Sequence, residues 1–203
     1  ISVVCNITTP AFAPVRYKTR FLHVILPDDA RPSVEIGELV QGEFFKPADA
    51  IAAWENGKML IAPPNLFLLR QLASYGLPEF KKEVNIHAQR FDAGALHPVY
   101  FSPGIFMASL KTPTLPPATT TNTLIVGSEK LYVVEPATYE KDEQQHLFDK
   151  MDELIGEGKH FEAILLTHYH MDHVGAVNAV SQRYKLPVRA HPLTYDQIPH
   201  GFI

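Results

Sequence analysis

Three of the ten histidines fall within six residues, in the run Thr167-His168-Tyr169-His170-Met171-Asp172-His173. A strand-like stretch, Glu162–Leu166, precedes the run and a helix-forming stretch starts at Val174, so the run occupies a tight strand-to-helix loop. Side chains two apart on an extended backbone point the same way, so His168 and His170 can face one metal ion. Asp172 and His173 stand where the chain turns into the helix and can face a second. Neutral imidazole and carboxylate are ligands that suit zinc, iron or manganese. Two such cations about 3.5–4 Å apart activate water near neutral pH and polarise a carbonyl or phosphoryl oxygen. A merely polar loop does not account for the run. Three imidazoles and a carboxylate beside a buried strand cost desolvation, and imidazoles repel one another once protonated.

The elements that must position this loop follow from pattern. Leu124–Val126 and Leu131–Val134 read as strands joined by the hairpin signal Gly127-Ser128-Glu129-Lys130. Asp142–Ile155 reads as a helix with Leu147, Phe148, Met151, Leu154 and Ile155 on one face; Asp142 and Gln145 offer an amino-terminal cap and Gly156 a stop. Ala163–Leu166 is a buried strand, Val174–Tyr184 a helix and Pro187–Ala190 another strand. That βαβαβ order predicts a layered α/β half-domain. Extended segments are expected at Val84–Phe91 and Val99–Leu110, then an ordered Pro/Thr-rich connection over Thr112–Thr123.

The first eighty residues read as β-β-α-α. Strands are expected at Arg20–Leu26 and Glu38–Phe45, a helix from Pro47 closed by Asn56-Gly57, and a helix over Asn65–Ser74 ended by Gly76 and Pro78. This is too little for a separate core of its own.

Composition sets the outer limits. The chain has 203 residues, 46% of them hydrophobic and 20% charged, with a formal net charge of −4, so no electrostatic case exists for nucleic acid as an obligate partner. No apolar run approaches the roughly 20 residues of a membrane span, and the opening Ile1–Pro10 lacks the features of a signal peptide. The lone cysteine, Cys5, cannot form an internal disulfide, which fits a reducing cytoplasm. Its neighbours include no base to activate a catalytic thiol. The chain starts at Ile1 without a methionine and stops soon after a turn-like Gln197–His200, so it reads as a piece of a longer protein.

Thr-His-x-His-x-Asp-His after an apolar strand resembles the signature of the metallo-β-lactamase superfamily, which includes glyoxalase II-like thioesterases. The resemblance covers about residues 83–203, and Asn122–Gly127 followed by Leu131–Pro136 is similar to the family's opening hairpin. Where the family often has Asp-Pro-Gly, this chain has Glu135-Pro136-Ala137, a departure expected to leave the metal assignment untouched. The resemblance implies that His168 and His170 hold the first of two divalent ions, Asp172 and His173 the second, and that Asp172 also accepts a proton during turnover. Zinc is the first expectation, with iron or manganese as alternatives. The family's third histidine, bridging aspartate and last histidine should lie further downstream; His191 and His200 are the candidates within the chain, and weak ones.

Phe12–Phe21, then Gly42-Glu43-Phe44-Phe45, then a helix ending in Leu60–Pro64 is similar to the carboxy-terminal half of Nudix hydrolases. The diagnostic Nudix box is absent, so no Nudix chemistry is assigned. The expected class is therefore α/β (α+β): residues 1–82 a partial Nudix-like unit, and residues 83–203 the amino-terminal half of an αββα sandwich. The implied function is a metal-dependent hydrolase of an ester, thioester, amide or phosphodiester in a small-molecule substrate. The alternatives are a non-catalytic metal- or ligand-binding joint between domains, and di-iron redox chemistry as in flavodiiron proteins. Retention of His170 points to the hydrolase version. With ligands and half of the sandwich missing, the isolated chain is expected to be a poor catalyst and to self-associate through the sheet face near Leu165.

Overall fold

The computed structural model describes residues 1–31, 33–35, 37 and 40–198. Glu38, part of the expected second strand, and His200 lie outside the described residues. The chain forms two compact units, Ile1–Thr9 with Val15–Asp92, and Pro10–Pro14 with Ala93–Ile203.

In the first unit, β1 (Ser2–Thr8) pairs antiparallel with β2 (Lys18–His23). α1 (Pro47–Glu55) follows, starting at a proline whose missing N–H costs nothing in a first turn, and ends at Asn56 and Gly57 as its sequence predicts. The described part of the expected strand, 40–45, contains none; the first strand of the unit is Ser2–Thr8 instead.

α2 (Pro63–Asp92) corrects a larger expectation. Gly76, at φ 68° and ψ 169°, breaks it into two arms, because only glycine adopts that backbone conformation at low cost. The second arm runs through 84–91, where the sequence suggests a strand. Val84 and Ile86 favour strand locally, but Phe80, Val84, His87 and Phe91 recur at helical spacing. Val84 is fully buried with Phe80, Cys5 and Ile7, and Phe67 meets His87 and Phe91 edge-on at 5.3 and 5.6 Å. Full burial of such side chains contributes about 1.5–3 kcal/mol each, whereas propensity differs by only a few tenths per residue. Burial wins. The expected domain boundary at 82/83 therefore falls inside a helix, and the compact units divide after Asp92.

The second unit holds a six-stranded sheet in the order β3 (Val99–Ser102), β4 (Ile105–Lys111), β5 (Thr120–Gly127), β6 (Lys130–Val134), β7 (His160–Leu166) and β8 (Val188–Ala190). β3 to β6 are antiparallel neighbours; β6, β7 and β8 are parallel and need crossovers. α3 (Lys141–Gly156) supplies the first crossover and α4 (Met171–Val174) with α5 (Val177–Tyr184) the second. Leu147, Met151 and Leu154 of α3 and Val177 and Val180 of α5 bury on one sheet face against Val133 and Ile164. On the other face Leu165 is half-buried.

Three local expectations change here. α3 begins at Glu140 with no side-chain cap; its first turn is tied down by Gln144, whose Nε2 donates to the Thr138 carbonyl at 3.0 Å. Gly156 lies inside the helix, and the left-handed turn that ends it is Gly158. The expected helix 174–184 is interrupted at Gly175 and Ala176. A Cβ on Gly175 would stand 2.7 Å from the Ala137 carbonyl oxygen, so the chain packs here against the loop that follows β6.

Candidate metal centre

Parallel pairing of β6 with β7 brings two loops to one sheet edge. Val134 is in register with Leu165, and the Glu135 N–H donates to the Leu165 carbonyl at 3.0 Å. The residues just beyond the two strands, Glu135 and Thr167–His168, are thereby neighbours although 32 and 33 positions apart. Carboxyl ends of parallel strands are the usual place for such sites.

Glu135 takes φ 52°, an uncommon conformation for a residue with a side chain. Buried Thr123 holds it: the Thr123 hydroxyl donates to the Glu135 carbonyl at 2.7 Å and accepts the Ala137 N–H at 3.2 Å. The Glu135 carboxylate then faces the histidine loop. Its Oε1 accepts from the Thr167 hydroxyl and lies 3.2 Å from His168 Nδ1, while its Oε2 lies 2.8 Å from His173 Nδ1. Burial pushes this carboxyl up, but hydrogen bonds from Thr167 and His173 and the nearby imidazoles outweigh that and hold it below its ordinary range.

His168 stands 4.2 Å, ring to ring, from His173 and 4.8 Å from His170, the latter edge-on. His168 is thus the ring that stands beside both other histidines. His170, exposed and extended, precedes α4, and its carbonyl accepts the His173 N–H at 2.9 Å. Asp172 Oδ2 accepts from the Thr114 hydroxyl at 2.7 Å and lies 3.7 Å from His173 Nε2. That hydrogen bond, aided by His173 and His170 against the cost of burial, holds the Asp172 carboxyl below its ordinary range. Tyr169 and Met171 are exposed beside the cluster; the Tyr139 hydroxyl reaches the Met171 sulfur at 3.6 Å.

Among the described residues, Glu135, His168 and His173 are the one group of three or more ligand-type side chains whose donor atoms lie within 4.8 Å of one another. His170 and Asp172 are not in that group, though imidazole and carboxylate are donor types that suit a divalent ion. Two ligands with bonds near 2.0–2.2 Å on a tetrahedral ion sit about 3.4 Å apart. The 3.7 Å between Asp172 Oδ2 and His173 Nε2 is close to that span. The 2.8 Å between Glu135 and His173 Nδ1 is shorter and is a hydrogen bond, which leaves Nε2 as the free nitrogen.

Sequence reasoning missed two participants. Glu135 and Thr114 lie 38 and 58 residues from the side chains they hold, and only the departure at Glu135-Pro136-Ala137 hinted at the first. His191 is the cap of α6 (Pro192–Tyr195), where its Nδ1 accepts the Leu193 N–H at 3.3 Å.

The sequence model of the Metallo-beta-lactamase superfamily matches residues 115–202. Solved structures similar to the chain include a metallo-beta-lactamase from Erythrobacter litoralis, with beta mercaptoethanol in its active site. It is 19% identical at a TM-score of 0.43, with 52% of this chain and 46% of that one covered. A metallo-beta-lactamase from Pontibacter korlensis is 21% identical at 0.41, covering 49% and 45%; the DIM-1 enzyme exposed to ceftazidime is 15% identical at 0.41, covering 49% and 44%. The chain spans less than half the length of each of these structures. No curated protein matches it. Among the described residues, no helix is long and apolar enough to cross a membrane.

Proposed function

We propose that the protein to which this chain belongs is a metal-dependent hydrolase with a two-metal site, cleaving an ester, thioester, amide or phosphodiester bond in a small molecule. What supports this reading is that one short segment after β7 carries His168, His170, Asp172 and His173, and that His168 and His173 converge there with Glu135. His168, His170, Asp172 and His173 would hold the ions, zinc for choice. Bound there, divalent ions supply water activation and polarisation of the scissile carbonyl or phosphoryl oxygen.

The chain's own residues do the positioning. His173 Nδ1 faces Glu135 at 2.8 Å, and His168 Nδ1 faces Thr167 Oγ1 at 2.8 Å and Glu135 at 3.2 Å; with both Nδ1 atoms as donors, each Nε2 would be free for an ion. Asp172, held by the Thr114 hydroxyl, is the residue this reading assigns to accept a proton during turnover. Tyr169 and Met171, exposed at the cluster, are placed to meet substrate. Residues 1–82 are the Nudix-like part of the same proposal, supported by Phe12–Phe21 and Gly42–Phe45; without the Nudix box they carry no hydrolysis of their own. The single cysteine supports a cytoplasmic setting.

Metal analysis of the purified chain tests the reading. About two zinc ions per chain are expected, with His170→Ala and Asp172→Ala each removing one. Fewer than one ion per wild-type chain, after dialysis against micromolar zinc, would favour a non-catalytic joint between domains instead.

A further inference from the structure

We infer that Thr114 is a positioning residue for the second metal, fixing the Asp172 carboxylate through the hydrogen bond from its hydroxyl. The inference rests on the assignment of Asp172 and His173 to that ion. A carboxylate on a one-turn helix can rotate about its side-chain bonds and present either oxygen in many directions. Here Oδ2 is held on one side by Thr114 Oγ1 at 2.7 Å. A carboxylate oxygen has two lone pairs, so the second remains for the side where His173 Nε2 stands 3.7 Å away.

The donor is itself fixed. Thr114 belongs to the loop between β4 and β5, which closes through the Thr112 N–H on the Thr119 carbonyl at 3.3 Å. Thr112 Oγ1 donates to the Ala137 carbonyl at 3.2 Å, and Thr138 Oγ1 donates back to the Lys111 carbonyl at 2.7 Å. These bonds tie the Thr114 loop to the segment that carries Glu135. One pair of loops therefore holds the histidines from behind and Asp172 from the side. The Pro/Thr-rich stretch, which reads in the sequence as a mere connection, becomes part of the site.

Zinc titration of the whole chain against a chromophoric chelator tests this, with thermal unfolding of the metal-free protein measured alongside. Thr114→Val keeps the shape and removes the donor; Thr114→Ser keeps the donor. The expected result is a loss of about ten- to a hundredfold in the weaker zinc step for Thr114→Val, the range for lost outer partners of metal ligands. Thr114→Ser should stay within about threefold of wild type in zinc affinity and keep the wild-type metal-free unfolding midpoint. Equal zinc affinities for wild type and Thr114→Val would overturn the inference while leaving the two-metal reading intact. A weakened step with a lowered metal-free midpoint and no rescue by serine would also overturn it, in favour of a purely structural threonine. Wild-type chain that binds less than one zinc would remove the two-metal reading, and the inference with it.

Discussion

Glu135 and His173, thirty-eight residues apart in the chain, meet at 2.8 Å, and the same carboxylate reaches His168 with its other oxygen at 3.2 Å. One side chain thus sets the orientation of two imidazoles that come from different ends of a loop. This pairing helps account for the tolerance of His168 and His173 next to a buried strand: the carboxylate faces a ring nitrogen of each.

Replacing Glu135 by Gln should show this in two ways. Zinc affinity should fall about ten- to a hundredfold, as for other lost partners of ligating histidines. Metal-free stability, measured by urea unfolding, should fall at pH 7. The pH dependence has a defined sign. The folded carboxyl titrates below its ordinary value of 4.5, so its stabilisation is present in full above that value and is lost as pH falls through the folded one. The difference between wild type and Glu135→Gln should therefore narrow below about pH 4.5; a gap that widens there would contradict the assignment of a hydrogen-bonded, ionised Glu135.

Gly175→Ala should be costly despite its mild chemistry. The added Cβ would lie 2.7 Å from the Ala137 oxygen and 2.7 Å from the Thr138 carbonyl carbon, both backbone atoms that cannot swing aside. Overpacking of this kind costs about 1–3 kcal/mol. Because the strain falls between α4 and the Glu135 loop, zinc binding should weaken together with stability. Urea midpoints and zinc titration of the same variant check both.

Cys5 should be chemically silent in the folded chain. It is buried in the first unit, and burial pushes its thiol up to about 11, so only about one molecule in a thousand carries the thiolate at pH 8. Labelling with a thiol-specific disulfide reagent at pH 8 should be slow in buffer and fast in denaturant. Rapid labelling of native protein would show that β1 opens readily from α2.

Much of the site's chemistry is written locally. His168, His170, Asp172 and His173 lie within one six-residue run, and the strand before them is legible; the helix expected from Val174 starts instead at Met171, so Asp172 and His173 lie within it. The β5–β6 hairpin and α1 are equally local, set by turn glycines and an amino-terminal proline. Tertiary structure decided the rest. The stretch 84–91 is helix because Val84 and its helical neighbours find an apolar partner in β1, a gain that exceeds any local preference for strand. Glu135 and Thr114 join the site only because parallel pairing of β6 with β7 and the threonine bonds between loops close distances of 38 and 58 residues. Spacing along a chain records which side chains a helix or loop presents together; it carries no record of which strand lies alongside, and that is settled by the burial of the whole sheet.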